Sequence, residues 1–268
     1  MLSYLAAPPH AALRGVVLRF SQRRCRDAHR QVPAFGLPAR TDQFIEFYLG
    51  EPVQVAQGGG APSPAPEIVL VAPHTRPGTR LQMWGDIDTF TVHFQPTGLH
   101  RLFGLPLQGL TDQGLPAVDV LDRQVLDLRD ALAAAPDFAG RVAGAQAWLA
   151  QRLLSARAAD GLDLAALRLA ADTSLPLRTL AQLANCSERH LHRRLVERCG
   201  VAPKLFARLL RFQGLLAAQR REPTESLTAL ALQAGYFDQA HCIRDCREFT
   251  GQAPRAFLAA WPDLGAPS

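Results

Sequence analysis

AGYFDQAHCIRDCREFTGQAPRAF, residues 234–257, is the later half of a repeat whose earlier half is LAQLANCSERHLHRRLVERCGVAPKLFARLLRF, residues 180–212. Ser187, Leu191, Arg193, Leu195, Gly200, Pro203 and Phe206 recur 51 residues later as Asp238, Cys242, Arg244, Cys246, Gly251, Pro254 and Phe257. Ala181 and Ala184 recur 50 residues later as Ala231 and Ala234, so one residue is inserted at the intervening turn. Agreement at one period over so many positions marks a duplicated supersecondary unit.

Each copy has the grammar of a helix-turn-helix. A short helix carries small residues (Ala181, Ala184; Ala231, Ala234), which let a second helix cross closely. A turn follows, Asn185-Cys186 or Gly235-Tyr236-Phe237. Ser187 or Asp238 then opens the next helix as its N-cap. That helix buries i, i+4 positions (Leu191 and Leu195; Cys242 and Cys246) and stops near Gly200 or Gly251. Its polar outer face holds Arg189, His192 and Arg193 in the first copy and Gln239, Ile243 and Arg244 in the second. An arginine fork at equivalent positions, Arg193 and Arg244, suits guanine O6/N7 or a phosphate.

At these residues the chain resembles the DNA-binding module of the AraC family of transcription regulators, over roughly residues 163 to 261. The departure from that family's pattern is Cys242 and Cys246, where large apolar residues are usual. The resemblance implies double-stranded DNA as partner. It also implies an N-terminal β-barrel of cupin type that often senses a small-molecule effector. The run FQPTGLHRLFGLPLQGLTD, residues 94–112, resembles a subset of such regulators. Contact with RNA polymerase and a homodimer are further expectations of this kind.

Charge supports the nucleic-acid reading. The net charge is +5, and residues 172–261 hold 13 basic and 8 acidic residues, so that segment alone carries it. Positive charge concentrated in the repeat suits a polyanion. Pro203 opens a helix of about 17 residues, roughly 25 Å long, on which Leu205, Leu209, Phe212 and Leu216 form one stripe and Phe206 and Leu210 another. Two stripes fit a helix bridging two small bundles. Such a bridge would hold two recognition helices near one duplex turn apart, roughly 34 Å. Ser187, Asp238, Lys204 and Arg211 are then the expected phosphate-side groups, through helix-start amides and cationic side chains.

The first 135 residues read differently. Runs 15–20, 44–49, 52–56, 67–72, 79–84 and 89–94 have strand composition, with Gly85-Asp86 at a hairpin and GGGAPSPAP (58–66) as a loop. Short strands between Gly/Pro turns predict a sandwich or barrel. Trp84 and Phe90 are candidates to line a ligand pocket, with core packing as the plainer alternative. Helical spacing over 118–132 and 139–154 predicts two helices, serving either dimerisation and coupling or cover for the β domain. Residues 156–161 read as a hinge. The basic run 23–31 is either an extra phosphate contact or solvated surface.

Several classes are disfavoured. His74, His93 and His100 lack metal-ligand spacing, and the five cysteines form no CxxC, so no metal or cofactor is expected. Cys242 and Cys246, one helical turn apart, are either a thiol sensor or small buried hydrophobes. An odd cysteine count argues against a disulfide framework. No nucleophile–base constellation suggests an enzyme. The absence of a long apolar run and of a convincing signal peptide predicts a cytoplasmic protein. The expected fold is α+β. It comprises a β-barrel, cupin-like domain at 1–135, a helical connector and hinge at 136–161, and an all-α double helix-turn-helix at 162–268. The competing reading is a small-molecule-binding protein with a vestigial DNA module.

Overall fold

The computed structural model describes residues 3–27 and 31–261. Residues 28–30 of the basic run and the last seven residues of the expected DNA-binding domain lie outside the described residues. The N-terminal half is two antiparallel sheets. One holds six strands in the order β1 (Ser3–Ala7), β2 (Val17–Cys25), β9 (Ile87–Phe94), β4 (Phe44–Tyr48), β7 (Ile68–Val71) and β10 (Gly114–Pro116). The other runs β3 (Gln31–Gly36), β8 (Thr79–Trp84), β5 (Gln54–Gln57) and β6 (Ser63–Pro64).

Side-chain alternation decides what each face of the large sheet touches. On β4, Ile45 and Phe47 enter the main core, while Phe44, Glu46 and Tyr48 line a cavity between the sheets. On β7, Ile68 and Leu70 take the core side and Val69 and Val71 the cavity side. The core side is covered by helices. After α1 (Gly98–Phe103) and α2 (Ala117–Val120) come α3 (Gln124–Ala134) and α4 (Phe138–Ser155). They bury Val125, Leu128, Leu132, Val142, Ala145 and Leu149 against Phe20, Phe47 and Phe90. So α4 is a wall of the N-terminal core, which favours the covering role for these helices. Arg141 pins it there. Its guanidinium is buried and donates to Asp88 Oδ1 and Oδ2 at 2.6 and 2.9 Å, to Gln22 Oε1 at 2.8 Å and to the Leu132 carbonyl at 3.0 Å.

The C-terminal part is α-helical: α5 (Gly161–Ala171), α6 (Leu177–Leu183), α7 (Glu188–Cys199), α8 (Pro203–Arg221), α9 (Leu227–Gln233), α10 (Gln239–Thr250) and α11 (Pro254–Ala260). It has two small cores. The first gathers Leu162, Leu169, Leu180, Leu191, Leu195 and Phe206. The second gathers Phe212, Leu230, Tyr236, Cys242, Cys246, Phe249 and Phe257. Helix α8 supplies both, with Phe206 and Ala207 to the first and Leu209, Phe212, Leu215 and Ala218 to the second. The two-stripe reading of residues 203–221 therefore matches the helix. The fold class is the α+β arrangement expected. Among the described residues no helix is long and apolar enough to cross a membrane.

Residues 156–161, read as a hinge, are tied down. Arg157 reaches Asp163 Oδ2 at 2.7 Å and Asp160 Oδ2 at 3.4 Å, and its carbonyl accepts from Arg101 Nε at 3.2 Å.

Candidate nucleic-acid interface

The two helix-turn-helix units are α6–α7 and α9–α10. Each needs a backbone reversal where the first helix ends, and each places a left-handed residue there: Asn185 at φ 49° and Gly235 at φ 85°. Asparagine tolerates this region better than most side chains, and glycine pays no steric cost in it. The recognition helices then open on side-chain caps. Ser187 Oγ accepts from His190 N at 3.2 Å, and Asp238 Oδ1 accepts from His241 N at 2.6 Å. Leu191 and Leu195 of α7, and Cys242 and Cys246 of α10, point into their cores.

This leaves the first turns of both helices bare. Arg189, His192 and Arg193 are exposed, as are Ser187, Asp238, Gln239 and Arg244, while Ile243 is half-buried. Arg193 Nη2 lies 3.3 Å from His190 Nδ1, and Gln239 Oε1 accepts from Thr228 Oγ1 at 3.2 Å, so both side chains are held near their own helix starts. Lys204 is exposed on the first turn of α8. Arg211 departs from the sequence expectation. It is half-buried, its guanidinium sits over the Tyr236 ring at 5.9 Å, and its chain packs on Gly235, so it supports the second turn from inside. Phe237, which the sequence marks only as a turn residue, is 87% exposed beside the α10 cap. An aromatic directly before a capping aspartate was the available signal.

Each recognition helix is anchored to its unit by a buried charge. In the first, Arg198 donates to Asp160 Oδ1 and Oδ2 at 2.7 and 2.8 Å and reaches Asp163 at 3.3 Å. These hydrogen bonds hold the Asp160 carboxyl well below the usual carboxylate range. In the second, Asp245 accepts from Arg208 of α8 at 2.8 and 3.1 Å, and Arg208 also reaches Glu248. Burial pushes the Cys242 thiol up to about 12 and raises Cys246 as well, so both are protonated at neutral pH. That is the state of small buried hydrophobes, not of a reactive thiolate.

The N-terminal domain touches the far ends of both recognition helices. Thr111 Oγ1 donates to the Gly200 carbonyl at 2.7 Å, and His100 Nε2 lies 3.8 Å from Glu197 Oε1. Gly200 ends α7 at φ 83°, and a Cβ there would stand 2.9 Å from Thr111 Oγ1, so this position has two reasons to be glycine. At α10, Ala39 N donates to the Phe249 carbonyl at 2.8 Å. Thr41 donates to Gln213 Oε1 of α8 from N at 3.1 Å and from Oγ1 at 2.7 Å.

The cavity between the sheets measures about 390 Å³. Neither Trp84 nor Phe90 lines it. Trp84 lies on the outside of β8, and Phe90 packs in the aromatic core against Phe20, Phe47 and Phe138. The alternation on β9 puts Phe90 on the helix-covered side, which corrects the pocket expectation for it. Of the three histidines, His74 alone reaches this cavity. It is buried, with Nδ1 3.0 Å from the Ala72 carbonyl, and desolvation lowers its pKa to about 4. His93 Nε2 pairs with Ser21 Oγ at 2.9 Å.

Residues 180–260 match a family model described as a helix-turn-helix domain. No curated protein matches the chain. Among solved structures, ToxT from Vibrio cholerae in its P21 form shares 9% identity at TM-score 0.49, covering 96% of this chain and 98% of that one. ToxT from Vibrio cholerae strain SCE256 bound to an unsaturated fatty acid shares 10% identity at TM-score 0.46, covering 99% and 98%. The AraC-like transcriptional activator CuxR shares 12% identity at TM-score 0.27, covering 78% and 86%. The assignment of the C-terminal module stands on the family match and on the paired geometry described above.

Proposed function

Residues 180–260 being a helix-turn-helix module of the AraC type, the DNA-binding domain of transcription regulators, we propose that one polypeptide reads two successive major-groove half-sites. The observation that carries this is the pairing itself. Two capped helices with bare polar first turns, each with an arginine at the equivalent position, are joined by the single helix α8. Arg189, His192 and Arg193 read one half-site, and Gln239, Ile243 and Arg244 the other. Lys204 and the amides near Ser187 and Asp238 sit on phosphates, while Arg211 steadies the second turn. The N-terminal domain biases binding, because it grips α7 and α10 at their rear ends. Transcription then changes through contact with RNA polymerase, occlusion of DNA, or both.

The test is capture and sequencing of genomic fragments by the purified protein at two salt concentrations, beside an Arg193→Ala/Arg244→Ala double variant. Enrichment of a bipartite motif by wild type alone is the expected result. Equal enrichment by the double variant would remove these arginines from the readout. No enrichment by either, with the same result for residues 162–268 alone, would favour a vestigial module.

A further inference from the structure

The outermost strand of a sheet presents a row of unpaired N–H and C=O groups. Folds ordinarily blunt such an edge with proline, a bulge, a charge or sheer shortness. The two sheets have four edge strands, β1 and β10 in the large one and β3 and β6 in the small one. Three of these are blunted. β10 is three residues long and ends on Pro116. β6 is the two residues Ser63 and Pro64. β3 contains Pro33, and its register with β8 shifts between Val32 and Phe35.

β1 has none of these devices. Its five residues, SYLAA, include no proline, no glycine and no charge. All five pair with β2 in one unbroken register, from Ser3 opposite Arg24 to Ala7 opposite Phe20. A strand paired this way on one side turns the N–H and C=O of alternate residues to the other side. Among the described residues no further strand takes them up. Leu5, at the middle of the strand, is 45% exposed. Its cross-strand partner Gln22 bonds Arg141 of α4, so Leu5 projects on the helix-covered side of the sheet, past the helices that cover it.

The strand is complementary to itself. An antiparallel pair with a two-fold axis at Leu5 sets Leu5 against the partner's Leu5, Tyr4 against the partner's Ala6 and Ser3 against the partner's Ala7. The large ring of Tyr4 thus meets a small residue, and the two leucines cover each other on the axis. Charge does not oppose the approach of a second copy. The cations behind the edge, Arg23 and Arg24 of β2, face Glu46 at 3.8 Å and Asp88 at 3.4 Å. A neutral, apolar edge offers an acidic or basic partner strand nothing to pair with, whereas it matches its own copy.

We propose that β1 is a dimerisation edge. Two chains join β1 to β1, antiparallel about Leu5, and their two large sheets become one. This surface takes no part in the half-site reading, and its test contains no DNA, so the two stand or fall separately.

Sedimentation equilibrium of the full chain over a concentration series should give a monomer–dimer equilibrium. A strand edge is a small interface, so the dissociation constant should be on the order of micromolar. Leu5→Lys sets two like charges on the axis and should weaken the dimer about tenfold or more. The position is half-exposed, so this variant should fold, which thermal melting at low concentration checks first. Ala147→Glu, on the exposed face of α4, should leave the dimer unchanged. Oxidative cross-linking then reads the register. Cys186→Ser supplies the background, because the other four cysteines are buried. In it, Leu5→Cys should link two copies, because the axis brings that position against itself. Tyr4→Cys should not, because its counterpart lies on the diagonal at about 7–8 Å. A monomer at every concentration, a dimer that survives Leu5→Lys, or one that Ala147→Glu disrupts would overturn the edge pairing. Linking at position 4 in place of position 5 would overturn the axis at Leu5.

Discussion

The two helix-turn-helix units share a backbone plan and differ in nearly everything hung on it. Both have a left-handed residue in the turn, a side-chain cap, an outward arginine and a left-handed glycine at the end of the recognition helix. The first packs leucines where the second packs cysteines. The first anchors its recognition helix with a buried arginine against two aspartates, and the second with a buried aspartate against an arginine of α8. The two anchors sit at non-equivalent positions, Arg198 in the last turn of α7 and Asp245 midway along α10, and carry opposite charges. What a duplicated unit must keep is therefore backbone geometry and burial. The anchoring residues and the residues of the outer face are free to diverge, and they have.

The sharpest way to break this comparison is through the anchors. Arg198→Ala leaves Asp163 deeply buried with one partner fewer, and truncating one member of a buried pair costs about 3–5 kcal/mol. Asp245→Ala frees an arginine that is partly solvated and still reaches Glu248, so the loss should be smaller, about 1–3 kcal/mol. Denaturant midpoints of the two variants decide the order. A larger loss at Asp245 would mean that the second unit, despite its small core residues, rests more heavily on its anchor.

Readout gives the next effect. Arg193→Ala and Arg244→Ala should each cost about 1–3 kcal/mol of specific binding if they contact bases. Each should relax preference at its own half-site only. Titration against specific and random duplexes measures both, and equal losses on the two duplexes would turn the arginine into a phosphate contact.

Acid tests the first anchor separately. Hydrogen bonds from Arg198 depress the Asp160 carboxyl in the folded state. The unfolded carboxyl titrates near pH 3.9, so the stability it supplies is complete above about pH 4 and fades as pH falls below that. Stability should therefore fall more steeply between about pH 4 and pH 2 in the wild type than in Arg198→Ala, where the cause of the depression is gone. Denaturant unfolding of the two proteins across that range would show it, and equal pH dependence would remove the anchor from the account.

The smallest expected change is Phe237→Ser. The ring is 87% exposed, so stability should move by no more than about 0.5 kcal/mol. The first unit has the half-buried Cys186 at the corresponding place. A shift in half-site preference without a shift in melting temperature would add Phe237 to the readout, and no shift in either would leave it as bare surface.

The repeat was legible because its determinants are local. Caps, turn residues and i, i+4 burial act within a dozen residues, and all of them stand where the spacing put them. The two stripes of α8 were legible for the same reason. Arg211 misled because cationic type and helix position do not reveal that Tyr236 lies beneath it. Phe90 misled because strand alternation fixes that two faces exist, not which of them the helices cover. The contacts between the halves were beyond reach from sequence. Thr41 and Gln213 are 172 residues apart, and neither belongs to a pattern. The run 94–112 could be singled out by its resemblance to a subset of regulators, yet its use, delivering Thr111 to Gly200, became visible only in the fold.

Helix α8 has one more consequence. Because it is a single uninterrupted helix of 19 residues serving both cores, its residue count sets an angle as well as a length. Inserting one residue near its middle would turn the second unit by about 100° and advance it by about 1.5 Å. The chain stores the azimuth between its two helix-turn-helix units as an integer number of residues, much as a duplex stores the azimuth between two grooves as an integer number of base pairs.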